Sequence, residues 1–159
     1  GHLEQSVFFE EIYSILDGHP PEINLINEKN NGESVLEIIK NDLVESVHDI
    51  SSGGLLIALA EMSMGSDYGV KINKPKKLTN LFKYFFGEDQ SRYILEINKE
   101  NIKKGEKILK NNNIFYENIG LTQKNYFEIE KEMKISLKEL YEINNKWYNE
   151  YYGSFNKRN

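Results

Sequence analysis

The sequence predicts an α+β domain, a layered α/β sandwich in which a mixed, partly antiparallel sheet is flanked by helices. Three observations predict it. Amphipathic stretches of helical period alternate with short strand-like runs. Two of those runs, 114–119 and 126–129, are joined by a polar turn and read as an antiparallel pair. The 159 residues are 39% hydrophobic and 12% aromatic, enough for a packed core that would bury about two-thirds of the extended-chain surface.

Composition also narrows the function classes. The formal net charge is −5 with basic residues spread along the chain, which argues against a nucleic-acid surface. There is no cysteine, so disulfides, thiolate zinc sites and cysteine nucleophiles are excluded. The lack of disulfides fits a cytoplasmic setting. No apolar run approaches the roughly 20 residues of a membrane span, and no signal peptide is visible.

Taken in order, residues 1–2 read as the scar of a cleaved expression tag. Residues 3–152 read as one domain and 153–159 as a flexible tail. A helix is expected over 3–16, with Val7, Phe8, Ile12, Ile15 and Leu16 on its apolar face. Pro20 and Pro21 stop it, because a residue before proline is pushed out of helical geometry. An extended link (22–26) leads to a second helix over 33–41, with Val35, Leu36, Ile38 and Ile39 inward. A strand over 43–47 then enters a glycine-rich turn, and an apolar helix runs to about Met64. Strand 69–72 and helix 75–86 follow. The loop 87–91 opens into strand 92–97, and 98–110 is a lysine-rich surface helix. In the final helix, Ser136 and Glu139 have the spacing of a capping box. Leu140, Ile143, Trp147 and Tyr151 stripe one face of it. They are expected in the core, with Leu140 and Trp147 as anchors.

The turn carries the chemistry. Val47-His48-Asp49-Ile50-Ser51-Ser52-Gly53-Gly54-Leu55 places two serines and two glycines at a helix start. Such a corner lets other groups approach the backbone closely and leaves first-turn N–H groups without helical partners. Those amides and the helix dipole favour an anion. Asp49 would repel a bare phosphate, and a Mg²⁺ ion held between the two would reconcile them. A strand, Gly-Gly turn and helix is equally a packing joint, with Gly54 letting the helix lie close to a sheet. The spacing is neither a P-loop nor a Rossmann fingerprint. Both readings stay open on the residues alone.

With these elements in place, a resemblance enters. His48-Asp49-Ile50-Ser51-Ser52-Gly53-Gly54-Leu55 followed by Ala58-Leu59-Ala60-Glu61-Met62 resembles the His-Asp-x-Ser-x-Gly-Gly-Leu…Ala-Leu-Ala-Glu signature of the phosphoribosylformylglycinamidine synthase II family. Phe86-Gly87-Glu88-Asp89-Gln90-Ser91-Arg92 is similar to that family's Phe-Gly-Glu-Ser-x-Ser-Arg segment, with Asp89 where serine is usual. Gly18-His19-Pro20-Pro21-Glu22 and Ile135-Ser136-Leu137-Lys138-Glu139-Leu140 match further landmarks in order.

The resemblance implies a C-terminal domain of the aminoimidazole ribonucleotide synthetase type. It would be the last of four domains of an ATP-dependent ligase of purine biosynthesis. In that reaction ATP phosphorylates the amide oxygen of formylglycinamide ribonucleotide, and ammonia displaces the phosphate. ATP (or ADP) and Mg²⁺ would be cofactors of the whole enzyme, with none certain for this domain alone. The catalytic histidine would lie in absent N-terminal domains, so no catalytic residue is assigned here and His48 is not read as a base. By the same resemblance, Asp49 would be the metal ligand. Ser51, Ser52, Gly53, Gly54, Glu88, Gln90, Ser91 and Arg92 would face a nucleotide or phosphate. On the residues themselves, Glu88 and Arg92 could equally form a salt bridge that holds the loop, and Gln90 and Ser91 could cap a turn. Expected partners are the missing domains, together with a separate glutaminase and a small bridging subunit if the enzyme is of the small form. Two alternatives remain: a C-terminal domain of a thiamine-phosphate kinase, hydrogenase-maturation or selenophosphate synthetase relative, and a free-standing nucleotide-binding module without catalysis.

Overall fold

The computed structural model describes residues 1–75 and 80–155. Helices α1 (Val7–Tyr13), α2 (Leu25–Lys40), α3 (Gly54–Met64), α4 (Leu81–Phe86), α5 (Ile102–Asn111) and α6 (Leu137–Phe155) are interleaved with six strands. These are β1 (Ser46–Asp49), β2 (Tyr68–Ile72), β3 (Tyr93–Glu96), β4 (Gly120–Lys124), β5 (Tyr126–Ile129) and β6 (Met133–Ser136). The expected mixture of helices with a partly antiparallel, mixed sheet is present. The residues gather into two compact units, Gly1–Leu59 with Lys77–Asn118 and Ala60–Lys76 with Ile119–Asn159.

The first unit is built on an antiparallel strand pair, β1 with β3, in the register Ser46↔Glu96 to Asp49↔Tyr93. Around it Ile38, Leu43 and Leu109 form a buried cluster, with Val44, Leu95, Ile108, Ile114 and Tyr116 packed against them. Local chemistry sets the helix ends. The Ser6 hydroxyl accepts from Phe9 N–H, and Ser14 closes α1 in the left-handed region at φ 55°. The helix is therefore seven residues long, shorter than the expected 3–16, and Ile12, Ile15 and Leu16 are exposed. The Asn24 side chain accepts from Ile26 and Asn27 N–H and starts α2 there. That places the expected link 22–26 partly inside a helix. Of its expected inward face, Val35 and Ile38 are buried while Leu36 and Ile39 are exposed. In α4 the described part of the expected 75–86 helix starts after the cap Asn80; residues 76–79 lie outside the described residues.

The second unit holds a four-stranded sheet in the order β4-β2-β5-β6. Here the structure corrects the expected hairpin. The segment 114–119 is not a strand, and β4 does not pair with β5. Instead β2 lies between them, antiparallel to β4 and parallel to β5. Ile114 and Tyr116 alternate inward onto the first unit's core while Phe115 is exposed, so their strand-like pattern reports burial in a segment that is not a strand. The polar residues read as a turn are in fact β4. Val70, Ile72, Phe127 and Ile129 bury the core side of this sheet. Across it Glu128 sits between Lys71 at 3.2 Å and Lys134 at 3.7 Å. The hydrogen bond from Lys71, with its charge, holds the Glu128 carboxyl below the usual range.

Ser136 Oγ accepts from Glu139 N–H at 3.1 Å, the serine half of the expected capping box. The helix it starts continues through Phe155, past Gly153, where a tail was expected to begin; residues 156–159 lie outside the described residues. The aromatic stripe of α6 is not core. Trp147 is 63% exposed, whereas Phe127 is 1% exposed.

These exposures give opposite expectations for two truncations. Phe127→Ala should cost about 3–5 kcal/mol, and Trp147→Ala less than about 1 kcal/mol. Urea unfolding followed by circular dichroism measures both; comparable losses would place Trp147 in the core after all.

Candidate functional site

The two sequence motifs meet because β1 and β3 are antiparallel. The glycine-rich turn leaves the end of β1, and the loop 87–92 enters the start of β3, so the register sets them side by side. Ile50 N–H donates to Arg92 O at 2.8 Å and continues the ladder into the turn.

The turn is closed from within. Glu88 Oε1 accepts from Gly53 N–H at 2.7 Å and from Val7 N–H at 2.9 Å. Gly54 N–H donates to Ser51 O at 3.0 Å. Both glycines are buried, so the expectation that their amides face outward is corrected: a carboxylate of the chain itself occupies the place foreseen for an anion. The packing reading of Gly54 is supported directly. With φ at +70°, a Cβ there would stand 2.6 Å from the Phe86 carbonyl carbon and 2.8 Å from Gly87 O. Gly53, with φ at +80°, would press a Cβ into Ile57 at 2.5 Å. A side chain at either position is strained in backbone and in contact.

The loop is also held internally, though not by a Glu88–Arg92 bridge. Arg92 donates to Gly87 O at 3.1 Å and reaches Asp89 Oδ2 at 3.5 Å. Asp89 Oδ2 also accepts from His2 N–H at 3.1 Å, and Glu88 N–H donates to His2 O at 2.9 Å. Ser91 takes φ +66° and accepts from Asn31 Nδ2, at its carbonyl (2.8 Å) and its hydroxyl (3.1 Å). Gln90 is exposed.

Outside this closed corner lies a cleft of about 320 Å³. Asp49, Ser51 and Ser52 form one rim, and Glu88 through Tyr93 another. Glu4, Gln5, Pro21 and Glu28 complete it, and sequence reasoning did not foresee them, since they come from segments remote along the chain. One signal was available, since Pro21 belongs to the landmark Gly18-His19-Pro20-Pro21-Glu22. Gly18-His19 is fastened to the first segment by His19 N–H donating to Glu4 Oε2 at 2.9 Å and Gln5 Nε2 donating to Gly18 O at 2.9 Å. The backbone donor of His19 holds the Glu4 carboxyl below its usual range.

The cleft is acidic. Glu4, Glu28, Asp49, Glu88 and Asp89 line it, and among the described residues Arg92 is the one cation in its lining, already serving Asp89. A phosphate would need a cation with it. Asp49 is exposed, at 67% of its side-chain surface, with His48 Nδ1 at 3.8 Å. Among the described residues no three His, Cys, Asp or Glu side chains converge on a metal position. The donor set fits a hard cation only as one carboxylate with nearby serine hydroxyls, the remaining ligands coming from phosphate or water.

Residues 3–130 match the family described as AIR synthase related protein, C-terminal domain. The chain is 40% identical over 151 residues to phosphoribosylformylglycinamidine synthase subunit PurL of Pelagibacter ubique (strain HTCC1062), covering 95% of this chain and 21% of that protein. It is 34% identical over 156 residues to the same subunit of Rhodopseudomonas palustris (strain TIE-1), covering 98% and 21%. The chain thus spans about a fifth of the length of these relatives. Among solved structures, Thermotoga maritima PurL complexed with FGAR superposes with a TM-score of 0.63 at 18% identity, covering 72% of this chain and 21% of that one. The complex with ATP gives 0.62 at 18% (71% and 21%), and PurLQS gives 0.64 at 19% (84% and 24%). At these identities the likeness is one of fold.

If the Glu88 carboxylate holds the corner shut, Glu88→Ala should destabilise by about 2 kcal/mol and speed hydrogen exchange at Gly53 and Val7. Glu88→Gln, which keeps an acceptor oxygen, should lose less. Unchanged exchange at both amides in Glu88→Ala would contradict the arrangement.

Proposed function

This chain belongs to the family of AIR synthase related proteins, C-terminal domain, and from that premise we propose that it is the C-terminal domain of a phosphoribosylformylglycinamidine synthase subunit of the PurL kind. One observation carries the reading: 40% identity to such a subunit along 95% of the chain. The whole protein would convert formylglycinamide ribonucleotide to its amidine at the expense of ATP. The amide oxygen takes the γ-phosphoryl group and leaves as phosphate, while the nitrogen of ammonia takes its place on carbon. No nucleophile–base pair is assigned to this domain, which contributes one wall of a cleft and is inactive alone.

Within that wall the division of labour follows the geometry. Gly53, Gly54 and Glu88 shape the corner, and Arg92 with Ser91 holds the loop. Asp49, Ser51, Ser52 and Gln90 are left to face a ligand. Asp49 would hold Mg²⁺, whose charge would let phosphate oxygens enter an acidic cleft. Complexes of a fold relative with ATP and with FGAR support the substrate class. The remaining four-fifths of the polypeptide is one partner. A separate glutaminase and a small bridging subunit are the others, in keeping with a fold relative described as PurLQS. No described helix is long and apolar enough to cross a membrane. A cytoplasmic location is proposed from the use of ATP.

The test is an assay with formylglycinamide ribonucleotide, ATP, Mg²⁺ and ammonia. The full-length protein should turn over and the 159-residue chain should not; turnover by the chain alone would refute its being a part of the enzyme. In the full-length protein Asp49→Asn should weaken Mg²⁺-dependent nucleotide binding without altering the melting temperature. Unchanged affinity would return Asp49 to a structural role.

A further inference from the structure

Helix α6 has two unlike sides. One is polar and internally paired, with Lys138–Glu142 at 3.8 Å and Lys146–Glu150 at 3.7 Å, each four residues apart. The other carries Tyr141, Ile143, Trp147, Tyr148 and Tyr152, each between 49% and 63% exposed. Their rings touch one another, Trp147 with Tyr148 at 5.9 Å and Tyr148 with Tyr152 at 4.6 Å between centroids. An amphipathic helix with this pattern normally turns its apolar side to a core, yet here that side faces outward. No charged residue interrupts it. Tryptophan and tyrosine supply large contact area at low entropic cost and dominate binding surfaces.

What covers this face follows from where α6 occurs. The family match ends at residue 130, before α6 begins at Leu137. The PurL relatives, in contrast, match 95% and 98% of the chain, so the helix is shared with them. It therefore lies beyond the matched family region and falls within the similarity to proteins about five times as long. We propose that the aromatic face of α6 is an interaction surface that packs against the remainder of that longer polypeptide. The opposing surface is uncharged and apolar, with hydrogen-bond acceptors placed for the tyrosine hydroxyls. The proposal rests on the reading of the chain as part of a PurL-type subunit and adds the surface by which it is held.

Hydroxyl-radical footprinting of the full-length protein, compared with the 159-residue chain at equal concentration, tests it. Trp147 and Tyr148 should be modified several-fold more slowly in the full-length protein. Trp147→Asp in that protein should return Tyr148 towards the rate in the short chain, while Trp147→Phe preserves its protection. Equal rates in the two proteins would overturn the proposal. So would protection that appears in the short chain as its concentration rises, because the occupant would then be a second copy. Turnover measured on the same preparation separates the two readings. An active protein with an unprotected face sinks this inference alone, and a protected face without turnover sinks the assigned reaction alone.

Discussion

Two backbone N–H groups from separate segments, those of Val7 and Gly53, end on one carboxylate oxygen of Glu88 at 2.9 and 2.7 Å, and the first unit's glycine-rich corner is arranged around that convergence. A charged acceptor makes shorter and stronger hydrogen bonds than a neutral one. Here one oxygen ties the start of α1, the turn after β1 and the loop before β3 together. Gly54 makes the junction possible, since its missing side chain admits the Phe86–Gly87 backbone. The antiparallel register of β1 and β3 brings the parts within reach.

That closure decides how the corner can serve a ligand. A helix start rich in glycine suggests a cradle for phosphate, but the cradle is already filled from within. Under the proposed function, the ligand-facing role moves outward to the exposed Asp49 and the serine hydroxyls on the cleft rim. The acidic lining then makes a divalent cation the natural companion of any phosphate. The domain is better described as a corner closed from within, with the exposed carboxylate of Asp49 on its cleft rim, than as an independent anion site. This accords with the proposal that the chain works as part of a larger protein.

Much of this was legible in the residues. The turn, α3, β2, β3 and β5 follow from apolar runs punctuated by glycine and polar residues, and Ser136 caps as its spacing indicates. Packing and a binding site were both open readings of the glycine pair, and only coordinates could show Glu88 arriving from 35 residues away. The beginning of α2 was hidden because Asn27, Asn30, Asn31 and Gly32 are poor helix formers; the Asn24 cap and the buried Val35 and Ile38 override them. The expected hairpin failed because alternation reports burial and not pairing: Ile114 and Tyr116 alternate onto a core without a partner strand. The stripe on α6 carries the same lesson. Its period is correct, and its burial inside this chain is not.

The Gly53 amide belongs to Glu88 and is not available to a ligand. Nuclear magnetic resonance on the isotopically labelled chain tests it directly, through the scalar coupling that a hydrogen bond transmits. A coupling between the Gly53 nitrogen and the Glu88 carboxylate carbon, with slow exchange of that amide, is the predicted result. No such coupling, together with rapid exchange at Gly53 that slows only when phosphate is added, would contradict it.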